Sequence, residues 1–273
     1  MNQRILYLAF ENVKRAFYKK SIIGLGIGLA FLVGYAATIF LVEESNFEVE
    51  YTSNDFLLYF FNDFNISGVF LNILYTIFIA SMFNNDINYM YISRLKNRSD
   101  FLKTCIITVF IATITFMTLV VLTVSIVAAL IKDYSFQWGN VVQTLLHGSN
   151  GLGLITDILT PVSSIVISCS MYTMGLFIIG LCFYIGCSIF HNTYGGVFVN
   201  FIILLIGGVT YFFKISWLYR AIPSINTILA FHSLNEASEY PSLRYSLIYI
   251  LSALIILFVI SKLVSEKYIK EKI

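Results

Sequence analysis

Six long stretches without a charged residue dominate this sequence and decide its class. They cover residues 21–42, 64–85, 104–131, 161–190, 195–213 and 245–261. An α-helix rises about 1.5 Å per residue, so roughly 20 apolar residues cross a hydrocarbon core about 30 Å thick. Lipid offers the backbone no hydrogen-bond partners, so such segments form helices that satisfy their own amides and carbonyls. The sequence therefore predicts an all-α polytopic membrane protein with six transmembrane helices in one domain, residues 21–273.

The composition excludes an ordinary soluble protein. Of the 273 residues, 58% are hydrophobic and 12% are charged, whereas a soluble domain carries about 25% charged residues. The first apolar stretch is too long for the core of a signal peptide and lacks a clear cleavage site, so we expect no cleavable leader. We expect the four cysteines to pack as small apolar side chains, without disulfides or bound metal. They are Cys105, Cys169, Cys182 and Cys187.

The distribution of Lys and Arg predicts the orientation. Residues 1–20, 86–103 and 262–273 carry 13 of the 17 basic residues, and six crossings place these segments on one side. By the positive-inside rule that side is cytoplasmic, so both termini are expected inside and a short cytoplasmic turn joins the fourth and fifth helices. The predicted outer loops are 43–63, 132–160 and 214–244.

The first outer loop is strongly acidic. It contains no Lys or Arg and carries Glu43, Glu44, Glu48, Glu50, Asp55 and Asp63. An acidic outer loop can attract cationic solutes to the outer opening of a transport pathway. The alternative is that the loop is acidic only because basic residues are excluded from outer loops.

Residues 1–20 read as an amphipathic helix on the inner membrane surface. Apolar residues recur at three-to-four spacing and form one stripe: Ile5, Leu6, Ala9, Val13, Ala16 and Phe17. Charged residues occupy much of the remaining surface, among them Glu11, Lys14 and Arg15. A basic amphipathic helix suits an anionic leaflet. It is either an anchor alone or an anchor that also touches a cytoplasmic partner.

The cytoplasmic loop 86–103 is polar and basic, yet it holds regularly spaced apolar residues, Ile87, Met90, Ile92 and Leu95. This pattern is typical of a short helix parallel to the membrane that presents one face to another protein. The alternative is that its basic residues only fix the topology. On the outer side, residues 214–244 are rich in apolar residues and contain Pro223. They predict short helices that dip into the outer leaflet, capping a vestibule or lying as an interfacial loop.

Motifs for catalysis are missing. No phosphate-binding loop occurs, the three histidines lie in three different loops, and no Ser/His/Asp or Cys/His set can be assembled. Embedded ionisable residues are almost absent, which disfavours an ion-coupled transporter or an intramembrane enzyme. Gly24 and Gly28 are spaced as in helix-packing motifs, although this spacing also occurs without a packing role.

The order of these parts resembles the membrane subunit (permease) of bacterial type-2 ATP-binding-cassette (ABC) exporters. Residues 10–15 (Phe-Glu-Asn-Val-Lys-Arg) with 19–21 (Lys-Lys-Ser) look like the family's entry into its first membrane helix. Residues 97–103 (Asn-Arg-Ser-Asp-Phe-Leu-Lys) look like the family's run into its third, and Asp86 stands where the family has Glu. The chain has Asn88-Tyr89 in place of the usual Gly-Thr, and its second outer loop is longer.

The resemblance implies that loop 86–103 is a coupling helix and that segments of 214–244 are re-entrant. It implies partners: two separate cytoplasmic ABC ATPase subunits that hold ATP and Mg, and a second permease copy or paralogue. This chain itself would then be no enzyme and hold no cofactor or metal. The expected ATPase-coupling residues are Asp86, Tyr89, Arg94, Lys96, Arg98 and Lys103, with Glu11, Lys14 and Arg15 on the interface helix.

The resemblance leaves the substrate open among peptides, lipids, drugs and ions. An aromatic chain with 25 Phe and 18 Tyr and an acidic outer rim favours an amphipathic, cationic antimicrobial or signalling peptide, as in self-protection against a bacteriocin. The alternative function is an ATPase-independent membrane immunity or assembly factor.

Overall fold

The computed structural model describes residues 3–47, 50–83, 98–135, 137, 139, 159–232 and 240–272, apart from the side chains of residues 21, 98 and 266–272. No β-strand occurs in these ranges. The helices, in chain order, are α1 (Gln3–Phe17), α2 (Ser21–Phe47), α3 (Ser53–Asn62), a π-helix (Phe64–Phe70), α4 (Leu71–Ala80), α5 (Arg98–Ile131), α6 (Pro161–Phe190), α7 (Thr193–Phe212), a 3₁₀-helix (Ser216–Ala221), α8 (Pro223–Thr227), a second 3₁₀-helix (Leu229–Phe231) and α9 (Leu243–Lys272).

Five helices are long and apolar enough to cross a membrane: α2, α5, α6, α7 and α9. The pair formed by α3 and the π-helix with α4 is a sixth candidate, bent by 50° at its break. The prediction of an all-helical, multi-pass membrane protein is thereby confirmed.

The helices alternate in direction between two ends of the bundle. We call the end with α1, Lys19 and the α6–α7 turn the basic end, and the end with Glu43 and Glu44 the acidic end. At the acidic end, Lys132 Nζ donates to Glu44 Oε1 at 2.6 Å and ties α5 to α2. Toward the basic end, the Tyr184 and Ser265 hydroxyls lie 2.5 Å apart and join α6 to α9.

Helix α3 lies within the segment 43–63 that the sequence predicts to be an outer loop. Its start is fixed by a capping box, in which the Thr52 hydroxyl accepts from the Asp55 amide and the Asp55 carboxylate accepts from the Thr52 amide. All of its ten residues except Leu57 are buried. This helix therefore packs inside the bundle, and α2 extends to Phe47, beyond its predicted end at residue 42.

The second candidate span breaks at Asp63, which caps the π-helix by accepting a hydrogen bond from the Ile66 amide at 2.9 Å. In a π-helix the backbone hydrogen bonds depart from the regular α-helical pattern, and such helices are mostly short. Here the hydroxyl of Tyr172 on α6 donates to the carbonyl of Ser67 at 2.8 Å. The ring of Phe64 stacks on Tyr211 of α7 with centroids 4.0 Å apart. The irregular turn is thereby held by both α6 and α7.

Helices α6 and α7 form a tight hairpin at the basic end because glycines face each other. A Cβ atom built on Gly195 would lie 2.7 Å from the carbonyl oxygen of Gly186, and one on Gly196 would lie 2.6 Å from Cys187 Sγ. Small residues let membrane helices approach closely. The turn between the helices passes through His191, whose φ of 57° is left-handed.

The segment between α7 and α9 turns back into the bundle. Helix α8 begins with Pro223 at its first turn, and residues 225–232 are buried. Thr227 lies against Gly175, where an added Cβ would meet the Thr227 methyl at 2.7 Å. Gly175 is about 20 Å along α6 from Pro161. This irregular backbone is covered by protein, as its depth requires.

Candidate functional site

The most constrained junction of the basic end is the exit of α4, from which the chain enters residues 84–97. The ammonium of Lys19 donates to the carbonyl of Ser81, and the hydroxyl of Thr193 donates to the carbonyl of Phe83. The last carbonyls of a helix lack partners within it and carry partial negative charge, so a cation there is favourable. Partial burial lowers the pKa of Lys19 from its usual value.

This junction, which we call the α4 exit, gathers three parts of the chain. Lys19 lies in the corner between α1 and α2, and Thr193 is the first residue of α7. The carbonyl of Ser81 is therefore tied to the start of α2, and the carbonyl of Phe83 to the start of α7. Sequence reasoning missed both contacts, because it treated Lys19 as a basic residue at the entry to the first membrane helix and the α6–α7 turn only as a connection.

Helix α1 docks on the first turns of α5, where the chain leaves residues 84–97. The Asn12 side-chain amide donates to the Thr108 hydroxyl at 3.2 Å. The Thr108 hydroxyl in turn donates to the Thr104 carbonyl at 2.8 Å. The buried face of α1 consists of Ile5, Leu8, Ala9, Asn12, Val13 and Ala16. Residues 84–97 therefore follow the α4 exit and precede the contact between α1 and α5.

The predicted apolar stripe of α1 is partly displaced. Leu6 and Phe17 are exposed, whereas Leu8 and Asn12 take part in the buried face. At 100° per residue, Leu6, Phe10 and Phe17 form a separate apolar stripe beside the buried face. Phe10 is 59% exposed. Helix α1 therefore has three sectors: one against α5, one apolar and open, and one charged.

The charged sector of α1 contains three of the predicted site residues. Arg15 Nε lies 3.9 Å from Glu11 Oε2, a pair one helical turn apart. Lys14 is exposed and lies in the same last turns. A helix with an open apolar stripe beside a charged one suits a membrane surface.

Of the predicted coupling residues, the structure describes two. Lys103 lies in the first turns of α5 and its ammonium is 3.8 Å from the Asp100 carboxylate. Arg98 is the first residue of α5, and its side chain is outside the described atoms. Asp86, Tyr89, Arg94 and Lys96 lie outside the described residues. Residues 98–103, predicted to end the loop, are already helical and extend α5 toward the basic end.

Polar side chains also cross the interior of the bundle, and sequence reasoning did not single them out. The Tyr75 and Thr113 hydroxyls are 2.7 Å apart and link α4 to α5. Asn200 on α7 donates to the Thr76 hydroxyl at 3.1 Å. The only available signal was an Asn, Tyr or Thr inside an apolar stretch, which does not name its partner.

One interior residue connects the second candidate span to the segment that turns back. The Asn62 side-chain amide donates to the Ser168 hydroxyl of α6 at 3.1 Å, and Asn62 Oδ1 accepts from the Ala230 amide at 2.9 Å. Asn226, in α8, accepts from the Ser246 hydroxyl of α9 at 2.8 Å. The segment is therefore fastened to α3, α6 and α9.

The described residues offer hydrogen-bonded helix junctions and exposed apolar surfaces. Across the described residues, no group of three His, Cys, Asp or Glu side chains is placed to hold a metal ion. The polar interior groups named above hydrogen-bond to protein neighbours, but the side-chain oxygen of Asn200 is buried without a partner among the described residues. The candidate features for function are the α4 exit, the docked helix α1 and the apolar surfaces of the spans.

The sequence matches no protein-family model and no curated protein, and the fold matches no solved structure. We therefore infer the function of this chain from the contacts between its own residues.

Proposed function

We propose that this chain is the membrane subunit of a bacterial type-2 ABC exporter. It acts with a second permease copy or paralogue and with two separate ATPase subunits that bind ATP and Mg. Six spans cross the cytoplasmic membrane with both termini inside, and the basic end is cytoplasmic. The observation that carries the proposal is the α4 exit, where Lys19 and Thr193 hold the carbonyls of Ser81 and Phe83.

The α4 exit supports transmission of force from a cytoplasmic partner. ATP binding closes the ATPase pair against loop 86–103, and the loop moves the end of α4. Through Lys19 the movement reaches α2, and through Thr193 it reaches α7. Through the first turns of α5 it reaches α1, which is docked by Asn12.

The second span carries the movement toward the outer side. Its π-helix is tied to α6 by Tyr172, and Asn62, one residue before the break, holds the amide of Ala230. Residues 216–232 are the re-entrant cap in this proposal. A shift of the second span alters its contacts with the cap, and a cavity at the interface between the two permeases opens outward.

The transported substrate in this proposal is an amphipathic, cationic antimicrobial or signalling peptide. The outer segment 43–63 contains no Lys or Arg. Glu43 lies in α2 and Asp63 lies at the break of the second span. Negative charge at the exit favours cations and disfavours anions. Export of such a peptide protects the producing or neighbouring cell.

ATP hydrolysis by the purified complex tests the coupling assignment. Tagged wild-type protein and the double variant Arg94→Glu/Arg98→Glu are purified from native membranes in mild detergent. The double variant should either lose the bound ATPase subunit or hydrolyse ATP at least tenfold more slowly. The permease itself should remain folded. The matched control reverses two exposed charges at the other end, Lys214→Glu/Arg244→Glu, and should keep the activity. Equal hydrolysis in both double variants contradicts the coupling role.

A further inference from the structure

A lateral groove lies between α2 and the second candidate span, and we call it the α2–α4 groove. Its volume is ≈ 300 Å³. Gly28 and Leu32 of α2 and Leu74 of α4 line it, together with the rings of Phe31 and Phe70. Phe31 is 78% exposed and Phe70 47% exposed. These two rings therefore form the rims, and the groove is open toward the surroundings of the bundle.

The groove lies near the middle of the hydrocarbon core. Gly28 and Tyr35 are about 10 and 20 Å along α2 from its first residue, and the core of a bilayer is about 30 Å thick. A Cβ atom built on Gly28 would lie 2.8 Å from Leu74 Cδ2, so the wall formed by α4 lies at the same depth. Among the lining residues, only Tyr35 has a polar side-chain atom.

This position determines the chemistry of the occupant. Water finds too few hydrogen-bond partners along an apolar lining, and an empty groove would lose the dispersion contacts of its walls. Hydrocarbon chains are the solvent at this depth. An apolar cavity of about 150 Å³ holds a benzene molecule, so the groove, at ≈ 300 Å³, has room for a segment of an alkyl chain.

The groove also adjoins the break in the second candidate span. Phe70, which forms one rim, is the last residue of the π-helix. This helix is held by protein through Tyr172 of α6 and Tyr211 of α7. A hydrocarbon chain in the groove packs against the end of the same irregular turn, on the side of α2.

We propose that the α2–α4 groove binds one acyl chain of a membrane phospholipid, which lies along Gly28 and Leu32 between the rings of Phe31 and Phe70. A chain in the groove has dispersion contacts with two helices, whereas a chain beside a single exposed helix touches protein on one side only. The bound chain completes the packing around the end of the π-helix. The site follows from the depth of these helices in the membrane and does not depend on the exporter function.

Photo-labelling of the full-length protein in phosphatidylcholine vesicles tests the site. The probe is phosphatidylcholine with a diazirine near the methyl end of one acyl chain, and mass spectrometry locates the labelled residues. The exposed residues Leu251 and Ile255 of α9 lie about 10 to 20 Å along their helix and report contact with bulk lipid. Labelling of the groove should exceed labelling of α9 about threefold or more, because the groove holds the chain on two sides.

Two pairs of variants connect this labelling to the groove. Gly28→Leu should fill the groove and lower its labelling to the level of α9. Gly24→Leu is the control on the same helix, since a Cβ atom there would meet nothing within 4 Å. Phe70→Ala removes one rim and should also lower the labelling, whereas Phe201→Ala, at a 59% exposed position of α7, should leave it unchanged. The Phe70 pair decides the test when Gly28→Leu does not fold.

The outcomes distinguish the acyl chain from other occupants. Equal labelling of the groove and α9 would show an ordinary lipid-facing surface and overturn the proposal. Weaker labelling of the groove than of α9 would show that a second copy or another protein covers it, which also overturns the proposal. Enrichment that persists in both Gly28→Leu and Phe70→Ala would place the bound chain outside the groove.

Discussion

Lys19 and Ser81 are 62 positions apart in the chain, and the ammonium of Lys19 donates a hydrogen bond to the carbonyl of Ser81. This contact joins the corner before α2 to the end of α4, where residues 84–97 begin. Because the carbonyl belongs to a helix end, the contact combines a hydrogen bond with a favourable interaction between a cation and the helix dipole. In the exporter proposal, this contact links the end of α4 to the start of α2.

Replacement of Lys19 by Met should weaken both stability and coupling. Loss of a partly exposed, charge-assisted hydrogen bond should lower the free energy of unfolding by about 1 kcal/mol. Under the exporter proposal, ATP hydrolysis should continue while peptide export into inside-out vesicles falls severalfold. The neighbouring Lys20→Met is the control, since Lys20 is exposed. Equal export by the two variants would remove Lys19 from the coupling route.

The α6–α7 hairpin should not tolerate a methyl group at Gly195. The added Cβ would lie 2.4 Å from Phe190 Cβ and 2.7 Å from the Gly186 carbonyl oxygen, so Gly195→Ala should destabilise the protein by about 2 kcal/mol. Gly208→Ala, on the same helix with nothing within 4 Å, should be neutral or slightly stabilising because Ala favours helix. Thermal unfolding in detergent measures both, and similar melting temperatures would contradict the packing.

The hydroxyl of Tyr172 should stabilise the π-helix. It donates to the Ser67 carbonyl at 2.8 Å and lies 3.2 Å from Asn72 Oδ1. Tyr172→Phe leaves both buried acceptors without this donor and should cost about 1 to 3 kcal/mol. Tyr194→Phe is the matched control, because that tyrosine is 84% exposed. Hydrogen exchange of residues 64–70 should increase in the first variant only; unchanged exchange would show that the hydroxyl does not hold this turn.

Stability should fall when the pH is lowered through the titration range of His232. Burial lowers the pKa of this imidazole from 6.5 to about 4, against smaller opposing contributions from backbone hydrogen bonds. The folded state keeps His232 neutral while the unfolded state binds a proton, so stability is full above about pH 6.5 and is lost toward pH 4. Between about pH 7.5 and pH 5 the loss should be about 2 kcal/mol.

A pair of variants isolates this effect. His232→Asn removes the titrating group and should flatten the pH dependence of the melting temperature over this range, whatever its effect on stability at pH 7.5. His191→Asn alters the exposed histidine of the α6–α7 turn and should preserve the slope. A slope that survives His232→Asn would assign the pH dependence to other groups.

The approximate positions of the five long apolar helices were predictable because uninterrupted apolar length is a strong local signal. Helix α3 was missed although its signals were present: Thr52 and Asp55 have capping-box spacing, and the Phe56–Phe61 run follows. The acidic composition of residues 43–63 outweighed them. The break at Asp63 depends on long-range support from Tyr172 and Tyr211, which no local pattern encodes.

The candidate site was predictable in its location but not in its contacts. The basic loop and the amphipathic N-terminal helix pointed to the basic end, and periodicity gave the helical form of α1. Only part of the buried face of α1 was predicted. Leu8 and Asn12 are buried against α5, which begins about 90 residues further along the chain. The attachments made by Lys19 and Thr193 required the packed structure, since Lys19 lies in a short connection and Thr193 at the first position of α7.

The most direct test of the exporter function is affinity purification of the tagged protein from its native membrane in mild detergent, followed by mass spectrometry. We expect a stoichiometric ABC ATPase in the eluate, with this chain present twice or together with a paralogous permease. Recovery of the protein alone in several detergents would contradict the exporter function and favour an ATPase-independent immunity or assembly factor.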